Sequence, residues 1–274
     1  MPQAFGSAIR KRLWVGVLMV LALVLLLSAM RYLRPEAITN VPKLGLMTTL
    51  PLQWSEGGIE VAITSNAAPH PAYVRLSAAY QIVPIDNLKD IDRNGLSLLF
   101  LAQPRAMSPA ELVKLDAWVR SGGRLLVMVD PALQWGSLYP LGDKRRPLFT
   151  SQLSPLLSHW GVELVLPINE DQALAIQEID GLTLRTQTPG EWRSKQGKSD
   201  VTCTIAPKAI FADCAVGKGR AFLVADADLL DTPYWKGRGV RALTGSDEFG
   251  NMLWVEALLQ ALQGLEKNPR SFGG

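Results

Sequence analysis

The sequence predicts an α/β fold: a mostly parallel sheet with flanking helices, a small antiparallel β extension and one N-terminal transmembrane helix. Three observations predict it. Short apolar runs alternate with helical periodicity from residue 44 onward. Residues 95–131 hold a whole strand–helix–strand unit, and residues 13–30 form an uncharged apolar block. Alternation of this kind is the signature of helices packed on a parallel sheet.

The N-terminal block runs from Leu13 to Met30. As a helix it would span roughly 27 Å, close to the hydrocarbon core of a bilayer. Leu27-Ser28-Ala29 is a poor cleavage site, and the run is longer than the apolar part of a usual signal peptide. An uncleaved anchor is therefore expected. Arg10, Lys11 and Arg12 precede it, and Arg31 and Arg34 follow. That bias orients residues 1–12 toward the cytoplasm and the body outside it, so the expected location is the cytoplasmic (inner) membrane with a periplasmic domain. Those five cations also account for the net charge of +3, since without them Lys+Arg falls to 23 against 25 Asp+Glu. A body with no basic excess lacks the electrostatic footprint of a nucleic-acid binder.

Residues 31–43 read as a linker with Pro35 and Pro42, and the α/β domain as residues 44–264. Leu44 to Leu50 is the first strand of the body, followed by a loop with Trp54 and Glu56; residues 59–63 suggest a short extra strand. Pro71 sits at the first position of a helix ending near Tyr80, and a strand follows from Gln81 to Ile85.

Next comes the central unit. Leu96 to Ala102 is too short and too apolar for anything but a buried strand. Ser108 stands three residues before Glu111, with Pro109 between them, the pattern of a capping box with a pre-organised proline. Gly122-Gly123 ends the helix, and Arg124 to Val129 forms a second buried strand closed by Asp130-Pro131. Residues 131–150 form a long loop with a basic run, Lys144 to Arg146. Leu153 to Trp160 reads as a helix and residues 162–166 as a strand.

From about 170 to 216 the segments are short and β-like, which predicts the antiparallel extension. Cys203 and Cys214 fall in two of its runs on either side of a turn region, where a hairpin would bring them into disulfide range; an oxidising compartment would let the bond form. Gly217-Lys218-Gly219 leads into a strand, whereas a phosphate loop leaves one, so it reads as a hairpin turn. Arg220 to Ala225 is that strand, with Asp226 and Asp228 at its end. A polar loop from 231 to 250 and a helix from Asn251 to Leu262 complete the body, and residues 265–274 form a polar tail.

The motifs SPAELVKLDAWVRSGGRLLVMVDP, GKGRAFLVADADLL, LLSHWGVEL and NMLWVEALLQAL resemble segments of auxiliary proteins of gliding-motility-type ABC transporters and related DUF4350-like proteins. The likeness covers roughly residues 44–264. It implies a class I glutamine-amidotransferase-like, flavodoxin-like domain tethered to a membrane, and an association with a transporter permease and ATPase or other envelope proteins. It further implies a protein without enzymatic activity.

The residues agree on that last point. The elbow after Val129 carries Asp130-Pro131 instead of a cysteine nucleophile, and no G-x-S-x-G or G-x-C-x-G run occurs. His70 and His159 are the two histidines, each better explained structurally than as a base. No catalytic residue, metal site or cofactor is expected. Asp130, Asp226, Asp228 and Glu56 follow strands, where open α/β sheets place ligand crevices, and are the candidates for ligand binding; brought together, several could hold a cation or an array of sugar hydroxyls. Aspartates there also start turns and caps. Trp54, Trp135 and Trp235, in polar loops, are the interface candidates. Two further readings stand behind the accessory role: a glycan or small-ligand module using the acidic strand ends, and a carboxylate- or metal-dependent hydrolase.

Overall fold

The structure is a computed structural model that describes residues 14, 16, 19–25, 41–54, 56, 68–89, 91, 95–167, 174–197 and 200–264. The anchor expected at 13–30 is described only at Trp14, Gly16 and residues 19–25, all helical; its remainder, the tail 1–12, most of the linker, the strand expected at 59–63 and the tail 265–274 lie outside the described residues. Among the described residues no helix is long and apolar enough to cross a membrane.

The body, Pro42–Gly274, is built on a seven-stranded sheet. Five of its strands are parallel: β1 (Lys43–Thr48), β2 (Gln81–Pro84), β3 (Leu98–Ala102), β4 (Arg124–Met128) and β11 (Gly219–Val224). Two more, β9 (Val201–Ile205) and β10 (Phe211–Val216), add antiparallel beyond β11, giving the order β2-β1-β3-β4-β11-β10-β9. Every residue of β3, and all of β4 after Arg124, is buried, as both-face-covered parallel strands require. The chain runs from β1 outward to β2 and then returns to the other side of β1 as β3. The topological switch therefore lies at β1, with the ligand crevice expected outside the carboxyl ends there.

Helix α1 (Pro71–Ala79) is capped by His70, whose Nδ1 accepts from Ala72 N at 3.3 Å. Helix α2 (Pro109–Arg120) carries the expected capping box. Glu111 N donates to Ser108 Oγ at 3.4 Å and Ser108 N to Glu111 Oε2 at 3.0 Å. Arg105 pairs with the same Glu111 carboxylate and holds it down to about 2. Helices α3 (Ser154–His159) and α5 (Asn251–Leu262) follow, α5 burying Trp254, Val255 and Leu258.

The expected antiparallel extension is divided among three places. β9 and β10 join the main sheet. β6 (Ala175–Ile179) and β7 (Leu182–Thr186) form a separate hairpin, and β8 (Glu191–Ser194) pairs with β5 (Val162–Val165) in a two-stranded sheet of their own. The polar loop 231–250 contains a short 3-10 turn, Thr232–Tyr234, and a helical turn, α4 (Val240–Thr244). Gly217 and Lys218 form the two-residue turn between β10 and β11, and Lys218 N donates to Arg120 O, docking the turn on the end of α2.

Candidate functional site

The carboxyl edge of the sheet gathers the acidic strand ends. Strands β4 and β11 are in parallel register, with Met128 opposite Val224. Asp130 and Asp226 each stand two residues beyond that pair, so in-register pairing sets them side by side. Asp226 accepts from Leu229 N at 3.1 Å, which folds the chain into the 3-10 turn Asp228–Leu230 and swings Asp228 back toward the other two. All three are fully buried, and one ligand oxygen from each lies within 4.8 Å of the others. Among the described residues they form a group of carboxylates close enough to share one ion.

Their electrostatics follow from enclosure. Burial pushes the Asp130 carboxyl well above its ordinary range, and the charge of Asp228 pushes it further, while nearby amides offset only part. Burial acts likewise on Asp226, reinforced by Asp130 and then Asp228. Asp228 is raised to about 7, by burial first, against a hydrogen bond from Gln134 N at 2.8 Å. No cation is among the causes acting on any of the three. Three enclosed like charges cannot persist uncompensated, so the group either binds protons or binds a cation.

Gln103, a residue that sequence reasoning missed, fastens this cluster to its surroundings. It follows β3 with φ +42, a left-handed conformation, and is fully buried. Its Oε1 accepts from Asp130 N at 2.9 Å and its Nε2 donates to Leu148 O at 2.7 Å. Its carbonyl accepts from Thr49 N at 3.1 Å and Thr49 Oγ1 at 2.6 Å. Through its side chain and its carbonyl, this one residue joins the ends of β1, β3 and β4 to the 131–150 segment. Asn251, at the start of α5, plays a similar part on the other side, donating to Leu229 O and Arg185 O. A Gln just after a buried strand is the only sign of Gln103 in the sequence, and it is a weak one.

Beside the switch strand lies a cleft of about 550 Å³. The ends of β1 and β2 floor it, the loop with Trp54 and Glu56 closes one side, and Tyr139 and Arg145 of the 131–150 segment close another. Trp54 is 50% exposed. One Glu56 oxygen accepts from Leu138 N, while Oε1 is buried and accepts no hydrogen bond. Arg145 stacks over the Tyr139 ring at 4.1 Å and pairs with Asp143. The 131–150 loop is closed on itself by a hydrogen bond from Leu133 N to Phe149 O and seated on the edge by one from Leu148 N to Thr49 Oγ1.

Two of the three loop tryptophans correct the expectation. Trp135 and Trp235 are 6% and 2% exposed, so neither offers a contact surface. Trp135 packs against the His70 ring, and Trp235 donates from Nε1 to Leu230 O with Arg75 over its face. Large indole area outweighs polar sequence context: each covers the core from a loop. Trp54 alone of the three stays open. Cys203 and Cys214 face each other across β9 and β10 and are joined as a disulfide, at the lateral side of the sheet. His70 uses Nδ1 as a cap acceptor, so Nε2 carries the proton and donates to Thr232 Oγ1 at 2.8 Å. In that tautomer it cannot take a proton from the hydroxyl.

Residues 41–194 match the model of a family described as an ABC-type uncharacterized transport system, under the label of its auxiliary component. The chain matches no curated protein. Similar solved structures include the mmIFT52 N-terminal domain, at 16% identity and TM-score 0.47 over 80% of this chain and 96% of that one. The exo-β-1,4-mannosidase Op5Man5 from Opitutaceae bacterium strain TAV5 is 16% identical with TM-score 0.45, over 82% of this chain and 37% of that one. A cold-adapted β-galactosidase from Rahnella sp. R3 is 16% identical with TM-score 0.40, over 80% of this chain and 31% of that one. This chain therefore spans about a third of the length of the two glycosidases.

Proposed function

The chain belongs to the auxiliary family of ABC-type transport systems, and from that premise we propose that it is a non-enzymatic accessory component whose cleft at the carboxyl edge receives a partner subunit. One observation carries the reading. The residues lining the cleft fall between Leu46 and Pro147, wholly inside the family-matched segment. The feature that could grip a partner thus sits in the part of the chain the family shares.

In this reading residues 13–30 anchor the protein in the cytoplasmic membrane and the α/β domain faces the periplasm. The Cys203–Cys214 bond supports the orientation, since such bonds persist in oxidising compartments. The glutamine-amidotransferase-like ancestry is part of it too: Asp130-Pro131 stands at the elbow where that chemistry needs a cysteine, and His70 is committed to a helix cap. Trp54 supplies an exposed aromatic of the kind that dominates binding energy at interfaces.

Purification of the full chain in mild detergent, followed by identification of co-eluting proteins, tests the proposal. A permease and an ATPase in fixed ratio are expected. Trp54→Ala should cut their recovery by roughly fivefold or more, with the melting temperature unchanged. A protein that elutes alone after gentle extraction would overturn it. The cleft itself favours one second reading, because Trp54, Tyr139, Glu56 and Asp86 combine aromatic faces with carboxylates, the chemistry of sugar-hydroxyl binding. Saturable binding of an envelope glycan that Trp54→Ala abolishes would support that instead.

A further inference from the structure

We propose that Asp130, Asp226 and Asp228 bind a hard divalent cation of calcium's size, which clamps the carboxyl ends of β4 and β11 and the loop that walls the cleft. This does not rest on the transport reading, and it departs from the sequence expectation of no metal.

Three observations converge. The first is spacing. Opposite ligands on a calcium ion lie about 4.8 Å apart, twice an oxygen distance of about 2.4 Å. The three ligand atoms lie within 4.8 Å of one another, so one ion can touch all three with little movement. Magnesium demands near-ideal octahedral geometry and gives up its waters reluctantly, so an enclosed set of protein carboxylates suits calcium better.

The second is an unmet demand for a donor. Asp130 Oδ2 and Asp228 Oδ1 are buried without a hydrogen bond of ordinary geometry; the amides of Ala227 and Asp228 beside Asp130, and of Trp135 beside Asp228, offset their burial only in part. Buried oxygens of this kind ordinarily have partners, and orphans mark a strain or an ion. The other oxygens are already held. Asp130 Oδ1 accepts from Ala132 N at 2.7 Å and Asp228 Oδ2 from Gln134 N at 2.8 Å, which fixes the two carboxylates with one oxygen each to spare. Asp226 is oriented by Leu229 N and Gln187 N, at 3.1 and 3.3 Å. Held ligands are what a metal site needs from its surroundings.

The third is charge. Among the described residues no lysine, arginine or histidine makes an ion pair with any of the three, so none of these side chains supplies the counter-charge. Carboxylate oxygens without soft donors select Ca²⁺ or Mg²⁺ over transition metals.

The consequence reaches the cleft. Asp130 begins the 131–150 segment, and Gln134 of that segment binds Asp228. Tyr139 and Arg145, a few residues further on, form the cleft wall. A cation at the cluster would therefore hold that wall against the sheet.

The test uses the full chain in detergent, stripped with EDTA and dialysed into chelator-free buffer, then given calcium chloride or magnesium chloride. Equilibrium dialysis with elemental analysis reads bound ion, and thermal unfolding reads stability. One calcium per chain is expected. At a hundredfold excess over Kd the melting temperature should rise by roughly 5–10 °C. Asp226→Asn and Asp228→Asn, which keep shape and remove a buried charge, should each weaken binding at least tenfold and abolish most of the thermal shift. Both variants are near-isosteric; circular dichroism of the ion-free proteins verifies that they fold. Absence of stoichiometric calcium at millimolar concentration would overturn the proposal and leave shared protons as the compensation. Equal binding by the wild type and both variants would overturn it by placing the ion elsewhere. Stoichiometric magnesium without calcium would overturn the size assignment.

Discussion

Gln103 shows how much a single amide can carry at the residue scale. It closes two hydrogen bonds that no neighbour could supply, to Asp130 N and Leu148 O, from a buried position. Truncation would leave the buried Asp130 N unpaired, costing about 1–3 kcal/mol, and the half-buried Leu148 O, costing about 1 kcal/mol. Gln103→Ala is therefore expected to lower the unfolding free energy by about 2–4 kcal/mol in urea, and to loosen the 131–150 segment to proteolysis first. A loss below about 0.5 kcal/mol would mean that water replaces the amide at no cost. The same scale explains why the tryptophans divided as they did. Trp54, Trp135 and Trp235 share a polar sequence context, yet only Trp54 stays half exposed. Neighbouring residues in the chain cannot signal that difference, because the packing partners of Trp135 and Trp235, His70 and Arg75, are distant in sequence.

At the scale of elements, local signals were dependable wherever the chemistry was local. The capping box at Ser108 and Glu111, the proline starts of α1 and α2 and the turn before β11 all stand where the residues place them. Gly219 adds a non-local demand to that turn. A Cβ there would lie 1.9 Å from Val119 O and 2.5 Å from Gly123 O, both main-chain atoms that cannot swing away. Gly219→Ala should cost about 3 kcal/mol or more, read as a lower urea midpoint, and should separate β11 from the end of α2. Retention of the wild-type midpoint would show that the turn and helix end can part freely. The run VELVL illustrates the opposite case. Its apolar character correctly marks a strand, but β5 leaves the main sheet and pairs with β8, a choice made some thirty residues away along the chain. Strand existence is a local property; strand partnership is not.

Across the whole molecule, the sheet has two differently built flanks. The parallel strands β2, β1, β3, β4 and β11 bring their carboxyl ends to one edge, where cleft and carboxylate cluster lie. β9 is an outer strand hydrogen-bonded into the sheet through β10, and the Cys203–Cys214 bond reinforces that pairing. Closing an 11-residue separation constrains the unfolded chain by about 2–3 kcal/mol. Reduction should accordingly lower the unfolding free energy by that amount, while calcium binding at the distant edge persists in the reduced protein. Unchanged stability on full reduction would remove the disulfide as an argument for an oxidising compartment. The disulfide and the cleft thus lie on different borders of one sheet.

The α/β alternation, the order of the principal elements, the missing nucleophile motif and the placing of Asp130, Asp226 and Asp228 at strand ends are legible in the residues alone. These follow from periodicity, caps and short-range stereochemistry, which act within a few residues. That β4 lies beside β11, and hence that Asp130 meets Asp226 and Asp228 from nearly a hundred residues away, is visible in the folded chain alone. The fold alone placed Gln103 beneath the loop, split the β extension among three sheets and buried two of the three loop tryptophans. The physical reason is common to all of them: strand pairing and burial are settled by contacts across the whole chain, and no local pattern of residues records which distant surface will complete them.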